Sequence, residues 1–214
     1  MLIFFDSDTQ NDFILAAGKM SVHGAENIRK NLQSLTAFGR KRRLKIISSV
    51  DRHFGTAKYR GMEMTELEVW GGPFPMHCMD GTPGPKKIKE TASRRPCVIE
   101  NRPYSAAALK KACKSSEIII EKQKFSPFSN PNLPRILRML KVKKAVLYGV
   151  TTDYSMRSAA LEMRRLGIDV YLVTDASRSY NVKPNDGEIS VRQMHAAGVH
   201  MVSTEKVLRE LPLA

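Results

Sequence analysis

The sequence predicts one α/β domain, in which helices cover both faces of a parallel sheet of about five or six strands. Short apolar runs alternate along the whole chain with segments whose apolar residues recur at helical spacing. A chain of 214 residues is also long enough to fold around one core without disulfides. Neither an internal repeat nor a linker-like segment divides the chain, so we expect a single domain over residues 1–214.

The individual strands and helices follow from these apolar patterns. Buried strands are predicted at residues 2–5, 44–50, 117–121, 145–148, 170–174 and 200–202. Helices are predicted at residues 26–38, 106–114, 133–140, 157–166, 188–197 and 204–211, with Gly39 and Gly167 as the stops of the first and the fourth. Residues 52–95 form a long irregular stretch rich in glycine and proline, and stretches of that length are usually functional.

The composition predicts a globular protein with a strongly basic surface. The formal net charge is +14. The basic clusters lie mostly at predicted helix ends and loops, in residues 40–43, 86–89, 94–95, 110–114 and 141–144. Because they do not form one stripe interleaved with aromatic residues, we predict a solvated surface and no specific nucleic-acid partner. An anionic substrate, or weak non-specific binding of polyanions, remains an alternative.

The same composition bears on location. No apolar run approaches the roughly 20 residues of a membrane span, and Met1 leads directly into the first predicted strand. We therefore expect no membrane partner and no signal peptide. The three cysteines lack paired spacing, which favours reduced thiols and a cytoplasmic location.

Polar residues recur where the predicted strands end. They are Asp8, Asp51, Lys122, Ser155 and Asp175, each at or just past the carboxyl end of a strand. In open α/β sheets, ligands bind at that edge. A single polar residue there is common for turn chemistry, but five at one edge favour a functional site.

Ser155 lies where the strand at residues 145–148 turns into the helix at residues 157–166. The free N–H groups and the dipole of a helix N-terminus favour negative charge on a nucleophile or on a substrate oxyanion. An ordinary strand–loop–helix joint is the alternative for this stretch.

Asp51 and His53 form an Asp-x-His pair at the end of a predicted strand. In extended chain, alternate side chains point the same way, so both could bind one ion. His77, from the long irregular stretch, could supply a third ligand, and two histidines with one carboxylate suit Zn²⁺, Fe²⁺ or Mn²⁺. A turn or a cap is the alternative for the pair.

Two further pairs have both a functional and a structural interpretation. Asp8 is a candidate general base, with Lys122 as the cation that tunes it. The alternatives are a cap of the following turn and a surface lysine. Phe13 and Phe74 could wall a flat apolar pocket, although core packing is the usual role of phenylalanine.

Five segments together resemble the isochorismatase-like cysteine hydrolases and, within that family, the nicotinamidases. Residues 8–13 are similar to the family's Asp-x-Gln-x-Asp-Phe opening, and residues 51–53 to its Asp-x-His metal motif. Residues 77–84 resemble the segment with the third metal ligand, and residues 122–128 the segment with the catalytic lysine. Residues 149–154 resemble the Gly-Val-x-Thr-Asp stretch before the nucleophile. The resemblance covers nearly the whole chain and implies the isochorismatase-like fold.

This resemblance implies a role for each catalytic position. Asp8 would take the proton of the nucleophile and later activate water, and Lys122 would lower the pKa of the nucleophile. A cis peptide between Val150 and Thr151 would aim the Thr151 amide, together with that of Ser155, as an oxyanion hole.

The resemblance also implies a metal and a substrate. Asp51, His53 and His77 would hold a divalent ion, zinc before iron or manganese, which positions the ring nitrogen of the substrate. Some nicotinamidases have a further histidine after the pair, and water would replace it here. Val150, with the two phenylalanines, would contact a small carboxamide such as nicotinamide, which is hydrolysed to acid and ammonia. Family members also lead us to expect a homo-oligomer with a role in pyridine nucleotide salvage.

One departure from the family concerns activity directly, because Ser155 stands where the family has cysteine. A serine hydroxyl is far harder to deprotonate than a thiol and normally needs a histidine base. Three interpretations stay open: an engineered variant that binds substrate without turnover, a natural ligand-binding protein without hydrolase activity, and a serine nucleophile with altered chemistry. Cys78, in the metal-ligand segment, is predicted to be inert, and Cys97 and Cys113 lie outside the motifs.

Overall fold

Parallel pairing of seven strands organises residues 1–56 and 67–210, the part of the chain that the computed structural model describes. The strand order in the sheet is β3-β4-β2-β1-β5-β6-β7. The strands are β1 (Leu2–Ser7), β2 (Lys45–Asp51), β3 (Cys97–Ile99), β4 (Glu117–Lys122), β5 (Lys144–Val150), β6 (Asp169–Arg178) and β7 (His200–Val202). The chain leaves β1 towards β2 on one side and returns to β5 on the other. This reversal opens a crevice at the carboxyl ends of the central strands.

Helices cover both faces of this sheet, as the alternation of patterns predicts. The described helices are α1 (Asn11–Ile14), α2 (Arg29–Lys41), α3 (Ala106–Ala112), α4 (Leu133–Met139), α5 (Arg157–Arg165), α6 (Asp186–Ala196) and α7 (Thr204–Glu210). One core contains α1, α2 and α7, and the other contains α3, α4, α5 and α6. On β1, Phe4 belongs to the first core, whereas Ile3 and Phe5 belong to the second. Burial on both faces explains why the strands are continuous apolar runs.

The predicted α/β class and the parallel sheet are confirmed, but the strand count is higher than predicted. The missed strand is β3, which has only three residues and lies at the edge of the sheet. β7 is equally short and is predicted, but β3 directly follows the irregular stretch at residues 52–95, so its three residues do not stand out from that stretch. The predicted helix at residues 204–211 extends one residue beyond the described part of the chain, and residues 57–66 of the irregular stretch also lie outside it.

Gly39 does not stop its helix, and this prediction was wrong. Helix α2 continues to Lys41, with Gly39 buried inside it. A Cβ atom at Gly39 would lie 3.1 Å from the Phe4 ring, so the missing side chain allows the helix to pack closely on β1. Gly167, in contrast, does follow the end of α5, with a left-handed φ of 73°. Among the described residues, none of the helices is both long and apolar enough to span a membrane.

Candidate functional site

Four strands deliver polar side chains to one point at the carboxyl edge of the sheet. β1 leads directly into Asp8, β2 ends at Asp51, and β4 ends at Lys122, which is paired with Asp51 in the parallel register. β5 leads into the turn that carries Ser155. All four residues are buried, with at most 5% of their surface exposed. The structure therefore brings together the residues that the sequence proposed as base, cation, metal ligand and nucleophile.

Asp175, the fifth of the predicted strand-end residues, does not join this group, and the prediction that its strand ends there was wrong because β6 continues to Arg178. Its Oδ1 accepts hydrogen bonds from the N–H and the hydroxyl of Thr204, at 2.8 and 2.9 Å, and so binds the first turn of α7. Its carbonyl accepts from the Asn31 side chain. Asp175 is thus a structural residue that lies inside β6 and fixes the start of α7.

The Lys122 ammonium lies at the centre of the group. Its Nζ is 2.6 Å from Asp51 Oδ1, 3.1 Å from Asp8 Oδ2 and 3.5 Å from Ser155 Oγ. Burial disfavours the charge on Lys122, but the two carboxylates outweigh burial, and the pKa of Lys122 is raised. The lysine is therefore a fixed cation that joins the Asp8 and Asp51 carboxylates to the Ser155 hydroxyl.

Asp8 is held in a left-handed backbone conformation with φ of 50°. Its N–H donates to the Ser49 carbonyl at 3.1 Å, and the Ser49 hydroxyl donates to Oδ1 at 2.7 Å. Burial raises the pKa of the Asp8 carboxyl; Lys122 and the hydrogen bonds from Ser49 and Ser155 lower it, and the charge of Asp51 adds to the increase. A carboxylate whose affinity for a proton is raised, and which contacts a hydroxyl, can act as a general base.

Gln10 fixes the end of β2, a role that the sequence did not reveal. The backbone N–H of Asp51 donates to Gln10 Oε1, and Gln10 Nε2 donates to the Asp51 carbonyl, both at 2.7 Å. The same Nε2 donates to the Pro85 carbonyl at 2.9 Å. This buried amide therefore holds β2 and the segment that follows His77 in register with β1. Its place in the motif at residues 8–13 was the available signal.

Ser155 lies in a π-helical turn, Thr152–Met156, that continues directly into α5. The Val150–Thr151 peptide before this turn is cis, as the resemblance implied. The Met156 N–H donates to the Thr151 carbonyl at 3.0 Å. The hydroxyl thus lies at the start of a helix, where backbone N–H groups and the helix dipole favour a developing negative charge. The role of the Thr151 and Ser155 amides as an oxyanion hole stays a prediction.

Asp153 fixes the loop after β6 to this turn. Its two carboxylate oxygens accept from the N–H groups of Tyr180 and Asn181, at 3.0 and 2.7 Å. Asp153 is buried, and both of its oxygens have a donor. This residue belongs to the motif at residues 149–154, and its partners lie too far along the chain to be read from the sequence.

Asp51, His53 and His77 form a compact set of possible metal ligands. One ligand atom from each lies within 4.8 Å of the other two, and all three residues are buried. The His53 N–H donates to the Cys78 carbonyl, and the His53 carbonyl accepts from the Asp80 N–H. This backbone pairing holds β2 against the segment that carries His77.

The donor set fits a divalent ion. His77 Nδ1 lies 2.9 Å from the Pro75 carbonyl and, as a donor to it, leaves Nε2 as the coordinating atom. Burial lowers the pKa of His77, which favours the neutral imidazole that metals require. Because Lys122 occupies Asp51 Oδ1, Oδ2 is the carboxylate atom that remains for the ion. Two imidazoles and one carboxylate are compatible with zinc.

Replacing His77 with alanine should weaken zinc binding by at least about a hundredfold, because one of three protein ligands is lost. Competition with a chromophoric chelator measures the affinity. His23→Ala is the matched control, since His23 is exposed and outside the donor set, and it should bind zinc like the unmodified chain. Equal zinc affinity in the His77 variant would place the ion elsewhere.

Asp12 anchors the loop that carries His77. Its Oδ2 accepts from the Cys78 N–H at 2.6 Å, and its Oδ1 from the Lys19 N–H at 3.2 Å. A Cβ atom at Gly84 would lie 2.0 Å from the same carboxylate, so only glycine allows the loop to approach it. Cys78 itself has a fully buried side chain, and burial, with nearby carboxylates, raises the pKa of its thiol well above the usual value. Such a thiol is inert.

Alkylation by iodoacetamide provides a direct test of this environment. In the folded protein at mildly alkaline pH, we expect Cys97 to react at least about a hundredfold faster than Cys78, because the Cys97 side chain is partly exposed, whereas Cys78 is buried and burial raises the pKa of its thiol. Peptide mass spectrometry resolves the two sites, and unfolding in denaturant should equalise them. Rapid labelling of Cys78 in the folded state would instead make it a candidate nucleophile.

Aromatic rings lie beside the polar group. Phe13 contacts the His77 ring, with centroids 5.3 Å apart. Phe74 is surrounded by Phe125, Tyr154 and Tyr180, with centroid distances of 6.2, 6.5 and 6.0 Å. The sequence identified the two phenylalanines but missed the three rings around Phe74, whose contacts depend on the fold.

Val150 is fully buried at the end of β5, and its side chain belongs to the same core as Phe74. Its carbonyl accepts from the Ser7 hydroxyl at 3.0 Å. The contact of Val150 with a substrate therefore stays a prediction, whereas its contacts within the fold support the turn before Ser155.

Comparison with known proteins gives a family and several relatives. A protein-family model described as an isochorismatase domain matches residues 1–206. Among solved structures, the zinc complex of the pyrazinamidase of Pyrococcus horikoshii has a TM-score of 0.74 at 24% identity, covering 94% of this chain and 98% of that one. At this identity, the likeness concerns the fold.

Sequence relatives match over shorter segments. The nicotinamidase of Escherichia coli (strain K12) is 32% identical over 62 residues, which are 29% of this chain and 29% of that protein. An uncharacterised isochorismatase family protein of Bacillus subtilis (strain 168) is 24% identical over 103 residues, which are 44% of this chain and 55% of that protein. The matched segments therefore span less than two thirds of either relative.

Proposed function

This chain belongs to the isochorismatase family, and we propose that it has the site of a nicotinamidase-like amidohydrolase with serine at the nucleophile position. The substrate would be a small planar carboxamide such as nicotinamide, and the products an acid and ammonia. One observation carries the proposal: the buried Lys122 ammonium contacts Asp8, Asp51 and Ser155 together, at distances up to 3.5 Å. Acyl transfer requires a general base, a hydroxyl nucleophile and a cation within hydrogen-bonding distance of one another, and these three contacts, next to a metal ligand, provide them.

The reaction would proceed through an acyl-enzyme. Asp8 takes the proton of the Ser155 hydroxyl as Oγ attacks the carboxamide carbon, and the carbonyl oxygen becomes an oxyanion near the amides of Thr151 and Ser155. Asp8 returns the proton to the leaving nitrogen, and ammonia departs. Asp8 then takes a proton from water, which attacks the ester and releases the acid while Ser155 regains its proton. Lys122 remains charged throughout and stabilises the negative charge near Ser155.

Asp51, His53 and His77 would hold a divalent ion, zinc before iron or manganese, which are compatible with the same donors. When bound, such an ion supplies a Lewis-acid contact for a ring nitrogen of the substrate. The remaining positioning comes from the chain itself. Phe13 lies against the His77 ring, and the rings around Phe74 offer flat apolar surface for an aromatic carboxamide.

Ser155 itself favours a second candidate function, which is binding without hydrolysis. Its hydroxyl is partnered by Lys122 and Asp8, and a carboxylate is a weaker base towards a hydroxyl than the histidine of a serine hydrolase. A ligand-binding member of the family, whether natural or engineered, would keep the pocket and the ion and lose turnover.

Ammonia release and calorimetric binding together test the proposal. A panel with nicotinamide and pyrazinamide should bind to the zinc-loaded chain, and any turnover should disappear in Asp8→Asn, which lacks the base. Turnover unchanged in Asp8→Asn would exclude Asp8 as the base, and absence of binding across the panel would exclude both candidate functions. We also propose a homo-oligomer acting in pyridine nucleotide salvage, as the resemblance implied, and a cytoplasmic location, which the unpaired cysteines favour.

A further inference from the structure

The edge of the sheet opposite the site carries most of the exposed basic clusters. In this fold the strands begin, and most helices end, at that edge, which we call the amino edge. Exposed cations lie there in residues 41–43, 94–95, 110–114 and 138–143. Contacts join these segments: the Arg40 guanidinium donates to the Ala92 carbonyl, Lys45 Nζ to the Cys113 carbonyl, and the Met1 ammonium to the Lys141 carbonyl. The clusters are therefore parts of one surface.

Helix dipoles account for only part of this charge. Lysine and arginine in a last helical turn complement the carbonyl groups there, as Lys110 and Lys111 do in α3. The exposed cations at residues 42–43, 94–95, 114, 141 and 143 lie beyond the last turns. The surface is thus more basic than the helices require.

Nearby acids do not neutralise this surface. Among the described residues at the starts of β4 and β6 and the end of α5, Glu117 pairs with Arg40, Asp169 with Arg164 and Glu162 with Arg165. These pairs use cations other than those in the four exposed segments. The clusters therefore remain available to an anionic partner.

The arrangement of the cations favours a planar partner. The end of α2 lies on one face of the sheet, and the ends of α3 and α4 on the other. Along the edge, the clusters extend from β3 to β5, which is about 19 Å at the usual strand spacing. This is too wide for one phosphate group. A nucleic-acid backbone is linear and is met by a stripe or groove of cations, whereas these cations spread in two dimensions.

Exposed apolar side chains project from the same edge. Met1, Met139 and Leu166 are 52%, 41% and 45% exposed. Met139 ends α4, Leu166 follows α5, and Met1 precedes β1. Cations around exposed apolar side chains are the combination that binds a lipid interface, where headgroups pair with the charges and the apolar groups enter the boundary.

We propose that the amino edge docks on the surface of a bilayer that contains anionic lipids, with the candidate site facing away from it. This goes beyond the proposed function, since the site needs no such surface. It also departs from our expectation of no membrane partner, which rested on the lack of a membrane-spanning run and does not concern docking on a bilayer surface. The contact would be peripheral and electrostatic, and hence weakened by salt.

Sedimentation with vesicles tests the docking. The full chain should bind vesicles of equal parts phosphatidylcholine and phosphatidylserine and should not bind phosphatidylcholine alone. Replacing Lys110, Lys111 and Lys114 with glutamate should lower the partition coefficient by about tenfold or more. Arg94→Glu with Arg95→Glu, in a different segment, should act in the same direction and serves as the second variant if the first fails to fold.

A matched control separates the edge from net charge. Replacing Lys19, Lys30 and Lys183 with glutamate changes the net charge equally, and all three are exposed away from the amino edge. This control should keep the binding within about twofold of the unmodified chain. If both triple variants lost vesicle binding equally, the binding would depend on net charge and not on the amino edge, and the proposal would be overturned.

Leu166→Ser distinguishes a bilayer from a nucleic acid. It should weaken vesicle binding, because an apolar contact is lost, and leave any binding to a double-stranded RNA probe unchanged. Binding of that probe at physiological salt, without binding of phosphatidylserine vesicles, would assign the surface to nucleic acid. Binding of neither would also overturn the proposal.

Discussion

Replacing Ser155 with cysteine should raise ammonia release from nicotinamide by at least about a hundredfold. The substituted atom would lie where Ser155 Oγ lies, 3.5 Å from Lys122 Nζ and at the first turn of a helix. Both features lower the pKa of a thiol and generate the thiolate near neutral pH, whereas a hydroxyl stays protonated. The other proposed catalytic residues already contact this position, so we expect the Ser155 oxygen to limit the rate. Measurement requires kcat/KM for both chains with equal zinc content.

Ser158→Cys is the matched control, because it introduces the same thiol one turn along the same helix. It should leave ammonia release at the level of the unmodified chain. If the Ser155→Cys protein folds, binds zinc and still releases no ammonia from any small carboxamide, the hydrolytic interpretation fails.

The outcome also separates the three interpretations of Ser155. Activity only in the Ser155→Cys variant indicates complete machinery with serine as the limiting part, as an engineered variant would have. Measurable turnover by the unmodified chain that disappears in Ser155→Ala indicates a working serine nucleophile. Nicotinamide binding without turnover by either Ser155 or Ser155→Cys protein indicates a ligand-binding protein.

The sequence predicted the site best where local pattern fixes geometry. Asp51 and His53 alternate at a strand end, so their common direction follows from strand periodicity alone. Lys122 ends the next strand in the sheet, and parallel register brings it opposite Asp51. These predictions needed only the strand ends and the rule that ligands bind at the carboxyl edge of such sheets.

The features that the sequence missed or predicted wrongly depend on contacts between distant segments. Tyr180 and Phe125 contact Phe74 only in the folded chain, because the three residues lie in separate loops. Asp153 accepts a hydrogen bond from the loop that follows the next strand, β6. The three residues of β3 form a strand because they pair with β4, and their own sequence pattern does not predict it. Glycine commonly ends helices, which predicts a stop at Gly39, but here its packing on a neighbouring strand determines its role.

Replacing Lys122 with methionine should lower the free energy of unfolding by about 3–5 kcal/mol. Methionine keeps the length of the side chain and removes the charge, so the loss measures electrostatics rather than a cavity. Without the ammonium, Asp8 and Asp51 become buried carboxylates of like charge with no cation between them. For a chain of this size, the melting temperature should fall by about 6–20 °C. Chemical denaturation with zinc chelated measures the effect without a contribution from the ion.

Lys124→Met provides the control, since Lys124 is exposed two residues along and should change stability by less than about 0.5 kcal/mol. In the Ser155→Cys background, Lys122→Met should also abolish the gained ammonia release, because the thiol loses the cation that ionises it. A Lys122→Met chain as stable as the unmodified one would mean that Asp8 and Asp51 are not both charged in the folded protein. The ammonium would then be dispensable for the arrangement of the site, and the proposed order of proton transfers, which starts from an ionised Asp8 beside a charged Lys122, would be wrong.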